Sequence, residues 1–379
     1  MSPDVRRGSA MPNTTLTRRA LNRATLARQM LLRREPVKPA TAVERLAGLQ
    51  AQAARPPFIG LWSRLDGFER EALVRAIERQ QVVRGTLMRG TLHLVTRTDY
   101  VRFRGTLQPM LTAGLRSILR GRMDALDVAG AVAEARAWFD EAPRTFDALR
   151  AHLDDRFPGA DVRGLAYAVR MELPLLQVPA PGERWAYAAR ADFAVAETWL
   201  GASLAPGDAT EGLMVRYLEA FGPASITDAQ TWCGLGGLGP VFEQLRPKLR
   251  AFQDERGREL FDLPNAPRPD ADEHAPVRFL PEWDNLLLSH ADRSRVIADA
   301  HRPAITTANL RLPGTFLVDG FVAGTWVVNR KKNAVTLELR PFSPLQRSVG
   351  TALEQEGEAL ARFMEPDATT FAVTRAVRN

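Results

Sequence analysis

Cysteine is nearly absent. The chain has one, Cys233, so no disulfide can close within it and no thiolate cluster can hold a metal. Histidine is scarce too, and His93, His152, His274, His290 and His301 have no metal-ligand spacing. The carboxylates show no cluster of the kind a metal-dependent nuclease needs. No metal and no cofactor is expected. The run Gly234 to Gly239, GLGGLG, invites a phosphate-loop reading, but no Lys-Ser or Lys-Thr follows and the reading is rejected. No apolar run approaches the ~20 residues of a membrane helix, so no membrane partner is expected. The start, MSPDVRRGSAMPNTTLTRR, is basic and polar without the apolar core of a signal peptide. Residues 1–13 read as a disordered basic tail, and the chain as cytoplasmic.

Lysine is the third scarcity: Lys38, Lys248, Lys331 and Lys332 are the four lysines among 51 basic residues. Such an arginine bias, with abundant alanine, is what a GC-rich genome produces, so arginine abundance alone says little. The balance of +7 still attracts polyanions, chiefly nucleic acid. Arg18, Arg19, Arg23, Arg28, Arg33 and Arg34 fall on one expected helix. They read as a solvated face or, more sharply, as a face that tracks phosphates.

The 379 residues allow two or three domains. Leu21, Leu26, Met30 and Leu31 lie near helical spacing within Thr17 to Arg34. A second helix is expected over Thr41 to Gln52, with Thr41 as N-cap and Glu44 three residues on, stopped by Pro56 and Pro57. A helical turn over Phe58 to Arg64 and a helix over Glu69 to Gln80 follow. Then VVRGTLMRGTLHLV turns β-branched, with Gly85 and Gly90, and reads as a β-hairpin. Three helices and a hairpin make a winged helix. The order recurs over 123–205, where LPLLQVPAPGERWAYAAR reads as two strands around a Pro/Gly turn. It recurs again over 206–264, with Ser225 or Thr227 as a cap and a hairpin turning at Asp254 to Gly257. Residues 265–276 read as a linker. From 277 to 379 a three-strand meander, a helix over Leu345 to Met364 and a last strand predict a small β-barrel or sheet capped by one helix. The expected fold class is α+β, mainly helical: three tandem winged-helix motifs (14–122 with a connecting helix, 123–205, 206–264) plus a C-terminal β domain.

GTLMRGTLHLV, YLEAFGPASITDAQTWCGL, LPEWDNLLLSHADRSRVI and GTFLVDGFVAGTWVV carry a resemblance from about Arg18 onward. They resemble the tandem winged-helix family that includes the azinomycin-resistance DNA glycosylases. The resemblance implies a C-shaped clamp for duplex DNA, working as a monomer and associated with the nucleoid. In those glycosylases a Gln-x-Gln pair with a small or apolar middle residue carries the chemistry. The similar pair here is Gln50-Ala51-Gln52, after ERLAGL. Thr91-Leu92-His93 is similar to the segment that approaches DNA beside the pair, which implies a lesion or DNA contact for Thr91 and His93. The implied partner is double-stranded DNA containing alkylated bases.

Glutamine does not titrate, so it cannot act as general acid or base. An N7-alkylated purine needs neither, because it is already cationic and its glycosidic bond is weakened. Its departure builds positive charge on the sugar. The protein has to hold a water in line and stabilise the sugar with oriented dipoles. On an ideal helix residues two apart diverge by about 200°, so the amides meet only where the helix ends.

Each candidate has a plainer explanation. A Gln-x-Gln pair taken alone is common and almost always at the surface. His93 in an apolar strand is ordinarily a hydrogen-bonded structural histidine. Arg84, Arg89 and Arg97 flank the hairpin and are candidates for phosphate contact, or exposed arginines doing nothing. Asp284, Asp292 and Arg293 either line the cleft or hold the C-terminal domain through an ion pair or cap. Trp232, Trp283 and Trp326 read as core. A non-catalytic winged-helix DNA-binding protein or transcription regulator stays open as the alternative. A regulator protects one operator, whereas a glycosylase binds undamaged DNA loosely and with strong salt dependence.

Overall fold

The computed structural model describes residues 14–306 and 312–376. The expected tail at 1–13 lies outside the described residues. Among the described residues the chain is α+β, with fifteen α-helices and three β-sheets.

The first helix spans Arg18–Arg28, with the Thr17 hydroxyl accepting from the Ala20 N–H at 3.1 Å. It stops short of the expected Arg34 because the chain turns at Met30, whose φ is +55°. Leu21, Leu26, Met30 and Leu31 are buried as their spacing predicts. Arg18 and Arg33 are exposed, as a solvated face would have them, but the others depart from both readings offered for them. Arg28 makes a bidentate pair with Asp262 at 2.7 and 2.8 Å, both side chains buried. Arg23 is buried against Asp319 and donates to the Glu273 carbonyl at 2.6 Å. Arg19 pairs with Asp319, Arg33 with Glu273 and Arg34 with Glu356. A buried cation is costly unless it is paired or fully hydrogen-bonded. These arginines therefore fasten the helix to later parts of the chain rather than forming a free basic face.

The expected helix over Thr41 to Gln52 is also shorter. It runs Pro39–Arg45, preceded by Lys38 rather than capped by Thr41. Ala47 and Gly48 then take left-handed backbone, with φ of +53° and +85°. A Cβ at Gly48 would stand 2.6 Å from Val95, so the turn admits no side chain. The chain leaves it as a short strand, Leu49–Gln50. Pro56 and Pro57 do not stop a helix. They open one, Pro56–Trp62, since the missing proline N–H costs nothing in a first turn.

The expected hairpin forms as Val82–Thr86 and Leu92–Thr96, joined through a tight turn at Met88–Gly90. It is not a free wing. Leu49–Gln50 adds to its outer strand, and Leu175–Gln177 pairs with Val82–Thr86 on the other side. Asp192–Val195 and Arg144–Thr145 complete a six-stranded sheet shared between the first and second helical groups. Gly85 makes the junction possible, because a Cβ there would lie 2.7 Å from Tyr100 and 3.0 Å from the Leu175 carbonyl. In the second group the partner of Leu175–Gln177 begins only at Asp192, later than expected. The intervening loop carries Trp185 and Tyr187 back onto the core of the first group.

In the third group Ser225 and Asp228 form a capping box at the start of Ile226–Cys233. The hairpin Arg250–Asp254 and Glu259–Asp262 accepts Thr15–Leu16 as a parallel third strand. The C-terminal meander, Thr315–Val318, Phe321–Lys331 and Ala334–Pro341, grows to five strands through Arg278–Leu280 and Thr370–Arg375. The Arg347–Met364 helix buries Leu353, Leu360 and Met364 against this sheet. Trp232 and Trp326 are buried, whereas Trp283 is only half-buried.

Candidate active site

Gln50 and Gln52 reach the same turn from an extended segment rather than from a helix end. Gln50 pairs in register with His93, and the Ala51 N–H continues the ladder to the Leu92 carbonyl at 2.7 Å. The Ala51 carbonyl accepts from Arg84 Nε at 2.8 Å. Gln50 is 7% exposed and its Oε1 accepts from Arg89 Nη2 at 2.7 Å. Gln52 is exposed, and its Oε1 lies 3.4 Å from the Leu92 N–H, a weak contact.

The hairpin turn supplies the rest. Arg89 has left-handed backbone, with φ of +55° and ψ of +17°, uncommon outside glycine. Its guanidinium points inward. It donates to the Trp232 carbonyl and to Gln50, with His93 Nε2 at 3.5 Å. Thr91, half-buried, donates through its hydroxyl to the Met88 carbonyl at 3.2 Å. His93 is buried with Nδ1 3.1 Å from the Thr91 carbonyl. Burial, with the Arg89 charge adding to it, pushes His93 down to about 3. The imidazole is therefore neutral, with the proton on Nδ1 and the Nε2 lone pair toward Arg89.

Burial lowers Arg84 and Arg89 to about 10, so both keep their charge at neutral pH. Arg84 lies 5.0 Å from the ring centroid of Tyr187, and Arg170 lies near enough to add to its depression. Arg170 itself donates weakly to the Thr86 hydroxyl at 3.5 Å. Arg293, half-buried, lowers Arg89 slightly. Among the described residues none of these four arginines forms an ion pair with a carboxylate. Of the chain's other buried arginines, Arg28 and Arg64 are paired with carboxylates, whereas Arg104 and Arg295 donate to the Met171 and Pro223 carbonyls. The hairpin, through Arg84 and Arg89, and the neighbouring Arg170 and Arg293 thus carry positive charge that no paired carboxylate cancels among the described residues.

Asp284 and Asp292 stand in supporting positions. Asp284 forms a buried bidentate pair with Arg64, both contacts 2.9 Å, and caps Leu286. Asp292 binds Arg258 at 2.7 Å and caps Ser294 at 2.9 Å. Arg97 donates to the Leu200 carbonyl at 2.8 Å.

Sequence reasoning missed four contributors. Asn285 donates to the Gly48 carbonyl at 3.1 Å and so holds the turn that feeds Gln50. The Trp232 carbonyl anchors Arg89, and Arg170 and Tyr187 flank Arg84. No local signal marks any of them, since each acts through a segment remote in the chain.

Comparisons with known proteins converge. A structure of Streptomyces sahachiroi DNA glycosylase AlkZ is similar in fold, with a TM-score of 0.76 at 21% identity, covering 96% of this chain and 100% of that one. An interstrand DNA cross-link repair glycosylase from the same organism is 26% identical over 365 residues, 89% of this chain and 94% of the relative. The family model for AlkZ-like DNA glycosylases matches residues 43–363, which span the glutamine pair, the hairpin and most of the C-terminal sheet. The chain therefore belongs to the AlkZ-like DNA glycosylase family and is an enzyme of that class.

Proposed function

We propose that the chain is a monofunctional glycosylase that hydrolyses the N-glycosidic bond of cationic N7-alkylated purines in duplex DNA. The observation that carries this reading is the convergence of the Gln50 and Gln52 amides on the Arg89 turn, where, among the described residues, the titratable groups are a charged arginine and a neutral histidine and neither changes charge near pH 7. Such a site can orient but cannot protonate, which suits a leaving base that is already charged. Water adds to the sugar C1′ and the C1′–N9 bond breaks. The bonding pair neutralises the purine cation, and the water's proton leaves to solvent.

The uncompensated charge of Arg84, Arg89, Arg170 and Arg293 favours a polyanion at this face. Helices followed by hairpins at 82–96, 175–195 and 250–262 support three winged-helix units over 14–122, 123–205 and 206–264. Together with 277–379 they would form a clamp around the duplex, acting as a monomer. Thr91 and His93 would bring the hairpin to the lesion. The clamp would attack the base in place, without full flipping, so bulky adducts and interstrand crosslinks are substrates to test after simple alkylguanines. The role is self-resistance to an alkylating natural product or alkylation repair.

The test is alkaline cleavage of a duplex carrying one 7-methylguanine, then one carrying a crosslink. Wild type should leave a strand break at the lesion. Gln50→Ala/Gln52→Ala should leave none while binding DNA as wild type does. Excision unchanged in the double variant would overturn the assignment of the pair. Absence of excision by wild type on both substrates would favour a DNA-binding protein without catalysis.

A further inference from the structure

We infer that Arg89 is a positioning residue that fixes the Gln50 amide with its oxygen inward, so that Gln50 presents its hydrogen-bond donor to the nucleotide and Gln52 carries the freer acceptor for the water. The inference rests on the proposed function and divides the labour within the pair.

Guanidinium is a donor with no acceptor. The Gln50 atom 2.7 Å from Arg89 Nη2 must therefore be the carbonyl oxygen, and the amide cannot be flipped without setting donor against donor. The guanidinium is itself held at a second point, the Trp232 carbonyl, and its backbone is committed to a left-handed turn. A charge-assisted bond inside a low-dielectric site is about twice as strong as a neutral one. Gln50 Nε2 makes no hydrogen bond among the described residues and is not sealed from solvent. It is the atom left to face a ligand. The acceptor on a nucleotide that suits it is a phosphate oxygen, because a donor aimed at the sugar would oppose the positive charge that builds there.

Gln52 is held differently. Its oxygen has only the 3.4 Å contact with the Leu92 N–H, and its side chain is exposed. It can swing outward and accept from the attacking water, whereas the Gln50 oxygen is turned inward and gives one of its two lone pairs to Arg89.

The experiment pairs kinetics with a readout independent of activity. Gln50→Glu keeps the acceptor and an ion pair to Arg89 but loses the donor. Single-turnover excision at saturating enzyme should fall about a hundredfold, the usual cost of misplacing a bound reactant. Gln52→Glu keeps an acceptor for water and should stay within about tenfold of wild type. Arg89→Met should lose about ten- to a hundredfold in single-turnover rate at saturating enzyme, as expected for one charged hydrogen bond, with Arg89→Lys recovering part. Full activity in Gln50→Glu, or equal loss in both glutamate variants, would overturn the division of roles. Side-chain amide NMR of glutamine-labelled protein reads the lock directly. The Gln50 Nε2H₂ pair should shift toward the free-glutamine position in Arg89→Met. An unmoved signal overturns the lock whatever the activity. A wild type that excises nothing sinks the proposed function instead and leaves the NMR result to judge Arg89.

Discussion

Gln50 shows how one residue's chemistry is set by what occupies its other atoms. A free glutamine amide offers donors and an acceptor without preference. Bonded to a buried cation through Oε1, it turns its donor side outward. None of the groups around it changes charge near neutrality, because His93 is pushed down to about 3 and Arg89 only down to about 10. The enzymatic rate should therefore be flat across roughly pH 6 to 9, since no essential acid or base titrates there. It should fall only as pH approaches 10, where Arg89 begins to lose its proton. Single-turnover excision of 7-methylguanine over that range, corrected for spontaneous depurination, is the measurement. A bell centred near 7 would require a titrating catalyst that the site does not hold.

At the scale of elements, the glutamine pair depends on a switch from helix to strand within a few residues. The amphipathic pattern before Gln50 reads as continuous helix, and the helix Pro39–Arg45 forms where that pattern is strongest. What ends it is the left-handed step at Ala47 and Gly48, followed by ladder pairing to Leu94 and His93. Gly48→Ala would force a Cβ toward Val95 in a conformation that side chains resist. A destabilisation of about 1–3 kcal/mol follows. Thermal unfolding should show the lower midpoint, and excision should drop further than stability alone explains because Gln50 moves with the turn. Wild-type excision in Gly48→Ala would mean that the turn does not place the amide. The hairpin strands, the capping box at Ser225 and Asp228 and the C-terminal meander were legible because their signals are local. The six-stranded sheet was not, because Gly85 meets Leu176 across a long loop of chain.

For the whole molecule, buried ion pairs join parts remote in sequence: Arg28 with Asp262, and Arg64 with Asp284. Buried neutral histidines add an acid sensitivity. Burial is the main cause lowering both His93 and His290 below the ordinary value. The unfolded chain then takes up protons first, so stability is full above about pH 6.5 and declines as pH falls below it. Carboxylates enter only nearer pH 4. Circular dichroism should show a lower unfolding midpoint at pH 5 than at pH 7.5, and His93→Gln should shrink that difference. An equal midpoint at both values would mean that the histidines protonate in the folded state.

The sequence by itself determined the α+β class, most helix cores, the hairpins and the place of Gln50 and Gln52 within a known pattern. Apolar period, caps and turn residues act over a few positions and can be read there. Only the tertiary structure decided that the pair lies in extended backbone, that Arg23 and Arg28 of the first helix are buried against carboxylates, and which atom of Gln50 faces out. Each of these depends on a partner supplied from elsewhere in the chain: a strand at Leu92–Thr96, carboxylates at Asp262 and Asp319, a guanidinium at Arg89. Hydrogen bonds and desolvation act through space, and a linear pattern does not record which groups will meet.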